Sequence, residues 1–318
     1  MHGPRVAIKV DVDTDRGTAV GVPALVDIFR VRNLRATFLF SLGPDHTGRA
    51  IRRIFRPGFF RKVRRTRVVG TYGLRTLLNG VLLPGPHIGH HHEVLLRRVA
   101  SEGHEVGIHC YDHIRWQDGL KGMSKDQVFA EFDKARREFE RIFGYPPKTA
   151  GAAGWQANAH SLEAYDRSGL RYASDARGTG PFLAHAGGHV FRALQLPTTL
   201  PTLDELIGRP EYPEEALAPL YMSLIGQGQS NVLTVHAEIE GMVRSAWFAG
   251  LLDRLIERGV RIETLAELAA RVRTDQVPVC DLVDGEVPGR SGTLAVQGAD
   301  LPRMKTATAD AAPVPRIP

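Results

Sequence analysis

The sequence predicts an α/β fold in which helices surround a parallel sheet or barrel. Short β-branched stretches alternate with segments whose apolar residues recur at helical spacing along most of the 318 residues. Titratable residues follow directly after several of the predicted strands. In parallel α/β folds the loops that follow the strands share one edge of the sheet, so functional side chains converge there.

The predicted elements follow one another along the chain. A helix is predicted over Pro23 to Arg32, where apolar residues recur at helical spacing after a proline in the first turn. Another begins at the N-cap Ser124, with Gln127 three residues later, and ends before Gly144. The predicted strands are Val6–Val10, Ala36–Ser41, Glu105–Ile108, Thr149–Ala152, Tyr172–Ser174, Val190–Leu194, Asn231–Val235 and Val260–Thr264.

Composition limits the class of protein. Hydrophobic residues make up 43% and charged residues 24% of the chain, which is typical of a globular domain, and the net charge is +6. The two cysteines, Cys110 and Cys280, exclude a disulfide framework and an all-cysteine zinc site, and indicate a reducing compartment. The first residues show no signal peptide, and no apolar stretch is long enough to span a bilayer. We therefore expect a cytoplasmic location.

Residues with the chemistry of metal ligands follow two predicted strands. Asp11 and Asp13 come directly after the first, where two buried carboxylates would repel each other without a cation. His109 and His113 follow Glu105–Ile108, and imidazole binds zinc and other divalent metals. Taken separately, these patterns also fit a solvated helix start and surface histidines. Together they indicate a metal site of two histidines and one carboxylate, with coordination positions left open for water and substrate.

His236 is a further candidate functional residue, and it follows directly after the predicted strand Asn231–Val235. Its side chain suits a general acid or base, because imidazole titrates near neutral pH. The alternative is a structural histidine that is hydrogen-bonded at the mouth of the barrel. Cys110 lies between the two histidines of the second motif, and we expect an inward-facing, unreactive thiol.

Three stretches, DVDTDRGT, GHEVGIHCYDH and VLTVHAEIEG, resemble the NodB-type polysaccharide deacetylase family. Further stretches such as FSLGPDHTGR, AAGWQAN, RYASDARG and LPTTLPTLDELIG resemble a subfamily of deformylases that act on 4-deoxy-4-formamido-L-arabinose-phosphoundecaprenol. The resemblance covers Val6 to Gly298. It implies a distorted (β/α) barrel of NodB type over residues 1–298, and the Ala-, Pro- and Thr-rich residues 299–318 are predicted to form a disordered tail.

The resemblance also implies a role for each motif residue. Asp11 would be the general base and His236 the general acid. One divalent metal ion (zinc, cobalt, nickel, iron or manganese) would be bound by Asp13, His109 and His113. Such a site would polarise the formamide oxygen and acidify a bound water, while Asp11 takes a proton and His236 protonates the leaving amine.

The third motif departs from the wider family, in which an arginine orients the catalytic aspartate. Here the loop reads AGAAGWQAN, with Gln156 at that position. We expect Arg177, oriented by Asp175, to supply the missing positive charge. The backbone N–H groups of the Gly151–Gly154 loop are candidates for holding an oxyanion.

Five residues are candidate substrate contacts: Gly154, Trp155, Asp175, Arg177 and Glu238. The Trp155 indole either stacks on a sugar or fills the core. Glu238 and Glu240 flank His236, and each either hydrogen-bonds a sugar, holds His236 or pairs with an arginine. The run His90-His91-His92 is interpreted as a partly exposed cap at a helix start.

An insertion from His46 to His92 carries ten basic residues and no acidic residue. We expect it to dock on the anionic cytoplasmic face of the bacterial inner membrane and to admit an undecaprenyl-phosphate-linked amino sugar. The alternatives are a solvated basic face or nucleic-acid binding. No recognition motif accompanies the charge, so the prediction is that nucleic acid is not a partner.

The predicted function is hydrolysis of a formamide on an amino-sugar lipid, which releases formate in the modification of lipid A with aminoarabinose. One rival is a deacetylase of another N-acylated amino sugar, because pocket size decides which acyl group fits. The other is a catalytically silent protein that binds lipid at the membrane surface. The presence of all five motif residues argues against a catalytically inactive protein, whereas Gln156 in the third motif leaves that alternative open.

Overall fold

The computed structural model describes residues 3–50, 78–225 and 230–301. The strands in these ranges are β1 (Arg5–Val12), β2 (Thr37–Ser41), β3 (Glu105–Cys110), β4 (Thr149–Ala150), β5 (Tyr172–Ala173), β6 (Phe182–Ala186), β7 (His189–Gln195), β8 (Asn231–His236), β9 (Arg261–Glu263), β10 (Val279–Glu286) and β11 (Thr293–Asp300). The central part of the predicted insertion, 51–77, and the predicted tail from 302 onwards lie outside the described residues.

The α-helices alternate with the strands as the sequence predicts. They are α1 (Val22–Val31), α2 (Ile88–His91), α3 (Glu93–Ser101), α4 (His113–Gly119), α5 (Lys125–Phe143), α6 (Ala159–Arg167), α7 (Leu203–Leu206), α8 (Glu214–Ile225), α9 (Ser245–Glu257) and α10 (Leu265–Arg271). The Ser124 hydroxyl accepts from the N–H of Gln127, whose side chain accepts from the N–H of Ser124. Gly144 ends α5 with a φ of 78°. Within the described ranges, no helix has both the length and the apolar character needed to cross a bilayer.

One sheet contains all of these strands, in the order β8-β1-β2-β3-β4-β5-β7-β6-β10-β11, with β9 paired to the start of β1. The pairs from β8 to β7 are parallel, which confirms the predicted α/β class. Among the described residues, no ladder joins β8 to β11, so paired strands do not close a barrel. A loop bridges the gap instead: Thr199 and Leu200 donate to the carbonyl of Val232 on β8, and Thr198 donates to the carbonyl of Ala176 after β5.

The two faces of β1 have different surroundings. Val6, Ile8, Val10 and Val12 pack into the large apolar cluster that includes residues of α1, α5 and α9. Ala7 belongs to a small cluster on the other face, with Tyr172, Leu194, Leu196, Val232, Leu265 and Leu268. Side chains alternate along a strand, so Lys9 and Asp11 share the face of Ala7. That face leads to the functional site.

The hairpin β10–β11 is a feature that the sequence did not predict. It extends the sheet beyond β6, and its second strand contacts the third-motif region. The N–H of Arg177 donates to the carbonyl of Ala295, and the side-chain amide of Gln156 donates to the carbonyl of Thr293. These contacts join residues more than a hundred positions apart, which local periodicity does not reveal.

The turn after β1 and the turn after β8 touch closely. A Cβ on Gly21 would lie 2.0 Å from the carbonyl oxygen of Ala237, a rigid backbone atom. We therefore expect Gly21→Ala to lower the free energy of unfolding by about 3 kcal/mol, measured by denaturant unfolding. Gly250→Ala in α9 is the control, because a Cβ there meets no atom within 4 Å. It should leave stability unchanged or raise it by about 1 kcal/mol; equal midpoints for the two variants would contradict the close contact.

Candidate active site

The three motifs meet where neighbouring strands end. β1 lies between β8 and β2, and β3 pairs with the other side of β2. Asp11 on β1 and His236 on β8 are direct register partners. His109 belongs to β3, and His113 begins α4 just beyond it. Because these strands are parallel, their carboxyl ends lie on one edge, as the sequence predicts.

Asp13, His109 and His113 form a compact set of potential metal ligands. The Asp13 Oδ1 atom lies 3.2 Å from Nε2 of His109 and 3.4 Å from Nε2 of His113. It is buried and has no well-aligned hydrogen bond. The three ligand atoms lie within 4.8 Å of one another. Nitrogen and carboxylate atoms that converge in this way fit a divalent metal ion.

The outer contacts of the two histidines support this set. Nδ1 of His109 lies 2.7 Å from the carbonyl oxygen of Gly151, so Nδ1 donates there and Nε2 is the nitrogen that faces Asp13. The side chain of Asp112 accepts from the N–H of Arg115 and caps α4. This cap fixes the first turn of the helix, which carries His113.

Negative charge dominates the centre of the site. Burial raises the pKa of Asp13, but the nearby imidazoles of His113 and His109 outweigh this effect and hold that pKa well below its usual value. Burial lowers the pKa of His109, but the carboxylates of Asp11 and Asp13 outweigh it and raise that pKa. Two carboxylates thus favour a positive charge at this position, which is the environment that a metal ion requires.

Asp11 is buried beside the three candidate ligands. Its Oδ2 lies 3.3 Å from the ammonium nitrogen of Lys9. Its Oδ1 has no hydrogen-bond partner and lies 3.9 Å from Nδ1 of His109. Sequence reasoning missed Lys9. The available signal was its position two residues before Asp11, which puts both side chains on one face of a strand.

His236 is buried on the opposite side of Asp11. Its ring meets the indole of Trp155 edge to face, with centroids 6.2 Å apart. The backbone N–H of His236 donates to the Glu240 carboxylate at 2.7 Å. Burial lowers the pKa of His236, and Asp204 and Asp13 partly offset this effect. Glu240 therefore holds the backbone of His236, which is one of the alternatives that the sequence leaves open for it, whereas the sequence did not single out Asp204.

The structure corrects the prediction for Glu238. Its buried carboxylate accepts from the N–H of Asp13 at 3.2 Å, and from the N–H and hydroxyl of Thr14 at 2.9 and 2.7 Å. Oε1 of Glu238 therefore holds the turn that carries Asp13, a role that the sequence did not predict. The backbone of His236 is held by Glu240 instead.

The expected pairing of Asp175 with Arg177 is wrong. The buried Asp175 carboxylate accepts from the N–H of Ala152, the hydroxyl of Tyr165 and the amide of Gln195. Arg177 donates to the carboxylate of Glu205 and to two carbonyl oxygens, those of Thr198 and Leu200. Both side chains thus bind neighbouring segments, and Arg177 does not pair with Asp11.

Trp155 fills the core, so its interpretation as a sugar platform is corrected. Its side chain is only 2% exposed, and its indole N–H donates to the hydroxyl of Thr198. Gly154 has a φ of 61°, and a Cβ there would lie 2.3 Å from the amide nitrogen of Gln117. Its role is therefore to let the loop turn, as only glycine does at low cost. The Gln156 amide donates to the carbonyls of Gly154 and Thr293, away from Asp11.

Part of the candidate oxyanion loop is already engaged. The N–H of Gly151 donates to the carbonyl of Ile108, and the N–H of Ala152 donates to Asp175. An oxyanion donor would therefore come from later in the loop. Cys110 is buried, and burial raises the pKa of its thiol well above the usual value, as expected for an unreactive thiol.

The histidine run contributes to a second set of ligand-type residues, His87, His90 and Glu138, whose atoms also lie within 4.8 Å of one another. Both carboxylate oxygens of Glu138 accept from Arg141, at 2.8 and 3.0 Å. The arginine already balances the negative charge there, unlike at Asp13. His92 pairs with Asp15 at 2.8 Å.

The buried Glu240 is predicted to make the stability of the protein depend on pH. Burial raises its pKa from 4.5 to about 8, so between these values the folded state holds a proton that the unfolded state has lost. Stability should therefore fall as pH rises from about 5 to 8. Glu240→Gln should flatten this part of the melting-temperature profile, whereas the exposed Glu257→Gln should not. An unchanged profile in Glu240→Gln would contradict the predicted protonation.

Known proteins resemble this chain in sequence. The pattern of the polysaccharide deacetylase family matches residues 5–173. A protein of Shewanella sediminis (strain HAW-EB3), named as the 4-deoxy-4-formamido-L-arabinose-phosphoundecaprenol deformylase ArnD, is 35% identical over 303 residues, or 95% of this chain and 98% of the relative. A protein of the same name from Wigglesworthia glossinidia brevipalpis is 31% identical over 284 residues, or 88% and 98%.

Solved structures agree on the fold. A structure from Mycobacterium smegmatis, described as a polysaccharide deacetylase, has a TM-score of 0.61 at 18% identity and covers 90% of this chain and 96% of its own. The chitin deacetylase of Colletotrichum lindemuthianum has a TM-score of 0.50 at 19% identity and covers 86% and 91%. The family pattern spans over half of the chain, and the ArnD relatives span nearly all of it. The chain therefore belongs to the polysaccharide deacetylase family.

Proposed function

We propose that this protein is a metal-dependent amide hydrolase that removes the formyl group from 4-deoxy-4-formamido-L-arabinose-phosphoundecaprenol. The products are formate and the 4-amino-arabinose lipid used to modify lipid A. One observation carries the reaction class: Asp11 and His236, partners on adjacent strands, share one edge of the sheet with the converging ligand atoms of Asp13, His109 and His113. Identity to two ArnD proteins along nearly the whole chain supports the choice of substrate.

One divalent metal ion would be held by Asp13, His109 and His113. When bound, it supplies Lewis-acid polarisation of the formamide oxygen and makes a nearby water more acidic. A two-histidine, one-carboxylate set accepts zinc, cobalt, nickel, iron or manganese. The carbonyl of Gly151 keeps the donating nitrogen of His109 turned away from this position.

Asp11 and His236 would carry the proton transfers. The free Oδ1 of Asp11 accepts a proton from the attacking water, while Oδ2 stays against Lys9. Burial lowers the pKa of His236, so its protonated form gives up a proton readily to the leaving amine. Asp11 and His236 are register partners on adjacent strands, so their side chains project from the same face of the sheet and can act on one amide.

Formate release by the purified protein tests this function. The lipid substrate is presented in detergent, with and without a chelator, and single divalent metals are then added back. Chelator-sensitive formate release supports the proposal, and the add-back ranks the metals. Acetate release from an N-acetylated amino sugar without formate release would indicate a deacetylase instead. No product from metal-loaded, folded protein would favour a silent lipid-binding protein.

We also propose that the basic insertion docks the protein on the cytoplasmic face of the bacterial inner membrane. Arg49 precedes residues 51–77, and the apolar Val81, Leu82 and Leu83 follow them with exposed side chains. Basic residues attract anionic lipids, and exposed apolar side chains bury in the interface. This arrangement favours an anionic membrane surface and a lipid-linked substrate as partners.

Vesicle flotation tests the docking. Leu82 is 75% exposed, so Leu82→Asp should weaken binding to vesicles that contain phosphatidylglycerol without affecting stability. Val31→Asp is the matched control, because Val31 is 76% exposed at the end of α1, outside the insertion. Equal flotation of the two variants would argue against the insertion as the docking element.

A further inference from the structure

A buried lysine occupies the interior of the site and takes no part in the proposed proton transfers. Lys9 is fully buried on β1, above the small apolar cluster that contains Ala7. Its sheet neighbours are Thr37 on β2 and Thr234 on β8. A buried ammonium group costs several kcal/mol unless hydrogen bonds and an opposite charge compensate for the loss of water.

The contacts of Lys9 identify what compensates for that cost. Nζ donates to the carbonyl of Ser174 at 3.2 Å and pairs with Oδ2 of Asp11 at 3.3 Å. It also lies 5.3 Å from the centroid of the Trp155 ring, which is within cation–π range. Ser174 follows β5 and Trp155 belongs to the third-motif loop, so two separate segments fix the ammonium group in space.

The two oxygens of Asp11 are unequal as a result. Oδ2 is held by Lys9, whereas Oδ1 is buried without a hydrogen-bond partner on the side of His109. A free carboxylate can rotate about its Cα–Cβ and Cβ–Cγ bonds, and an ion pair with a fixed cation restricts this rotation. One oxygen therefore serves as an anchor and the other points toward the candidate metal ligands.

The arginines near the third-motif loop do not replace Lys9 as the cationic partner of Asp11, because they bind other groups. Arg177 is engaged with Glu205 and two carbonyls. Arg290 lies over Trp155 but donates to Glu205, Thr202 and Asp204. Gln156 is neutral and turned toward Thr293. Lys9, by contrast, places its ammonium nitrogen 3.3 Å from Oδ2 of Asp11.

We propose that Lys9 is the positioning residue of Asp11, taking the part that the wider family gives to an arginine of its third motif. The positive charge that holds the base comes from the first motif's own strand, two residues before the base. This proposal rests on the proposed function for the role of Asp11 as a base. It concerns the orientation of that base and involves no contact between Lys9 and the substrate.

Neutral variants of Lys9 test the positioning role. Lys9→Met keeps the length of the chain without charge, and Lys9→Gln also keeps a donor for the carbonyl of Ser174. We expect each to lower kcat about 100-fold, with KM and bound metal per protein unchanged, because a displaced base loses its alignment. Lys9→Arg should recover activity to within about tenfold of wild type. Full kcat in either neutral variant would overturn the proposal.

A double-mutant cycle separates positioning from a general structural effect. If Lys9 acts through Asp11, Lys9→Met should reduce the residual kcat of Asp11→Asn no further. Independent, multiplicative losses would overturn the proposal. If Lys9→Met does not fold, the cycle is run with Lys9→Gln, and crystal structures of Lys9→Gln and Lys9→Arg are compared with wild type.

The crystal structures also distinguish the two proposals from each other. If the wild-type protein releases no formate, the proposed function is contradicted. The crystal structures of the Lys9 variants then test the positioning role by themselves. In Lys9→Gln we expect the Asp11 carboxylate to rotate away from its wild-type position, and in Lys9→Arg to keep it. An unmoved carboxylate in Lys9→Gln would overturn the positioning role whatever the activity.

Discussion

Replacing Asp13 with alanine is expected to abolish metal binding and to lower formate release about 1000-fold or more. Its Oδ1 is the atom on which Nε2 of His109 and Nε2 of His113 converge, at 3.2 and 3.4 Å. Removing it takes away the anionic ligand that balances the charge of a divalent ion. The Lewis acid supplies several kcal/mol of transition-state stabilisation, which corresponds to about three orders of magnitude in rate. Elemental analysis of metal per protein and formate release measure the two effects.

The second set of ligand-type residues provides the control for this prediction. His90→Ala removes one imidazole from the set in which Arg141 already neutralises Glu138. We expect this variant to keep both the bound metal and the activity. Loss of metal in His90→Ala with retention in Asp13→Ala would move the metal centre to the second set and contradict the site described above.

Replacing Asp11 with asparagine is expected to lower kcat by about 10²- to 10⁴-fold while the metal stays bound. The amide is close in shape to the carboxylate but does not accept a proton from water, so the contribution of a general base is lost. Asp13, His109 and His113 are untouched, so metal content should equal that of wild type. This result would separate proton transfer from metal binding, which the Asp13 variant removes together.

Asp11→Asn should also destabilise the protein, for a reason visible in the structure. Lys9 is fully buried, and its ion pair with Asp11 is lost. An unpaired buried charge costs about 3–5 kcal/mol. The double variant with Lys9→Met should regain part of the lost melting temperature, because it removes the unpaired ammonium group. A melting temperature of Asp11→Asn equal to wild type would show that Lys9 has another compensating partner.

Much of the fold follows from local sequence patterns. The apolar periodicity of α1 and the capping box of α5 predict those helices, because caps and amphipathic faces depend on residues within a few positions. The parallel class also follows from the alternation of strands and helices. The hairpin β10–β11 and the loop that bridges β8 to β5 could not be predicted, since they depend on contacts between distant segments.

The structure brings Asp13, His109 and His113 together. The family resemblance implied Asp13 rather than Asp11 as the carboxylate ligand, whereas a set of two histidines and one carboxylate was identified from residue type and spacing. The supporting residues were not. Asp175, Arg177 and Glu238 have chemistry suited to a substrate contact, yet each is committed to a partner from a distant segment. A sequence states which groups are present, whereas their burial and partners depend on how the segments pack.

The sequence alone therefore determined the class of fold and pointed to the first and second motifs, while the acid–base roles of Asp11 and His236 stay predictions that the family resemblance implies. These features depend on the order of elements and on residue types at the ends of strands. Only the tertiary structure decided that Lys9 holds Asp11 and that Trp155 lies in the core. The physical reason is that a side chain's charge or ring acts through its neighbours in space, and those neighbours come from strands and loops far apart in the chain.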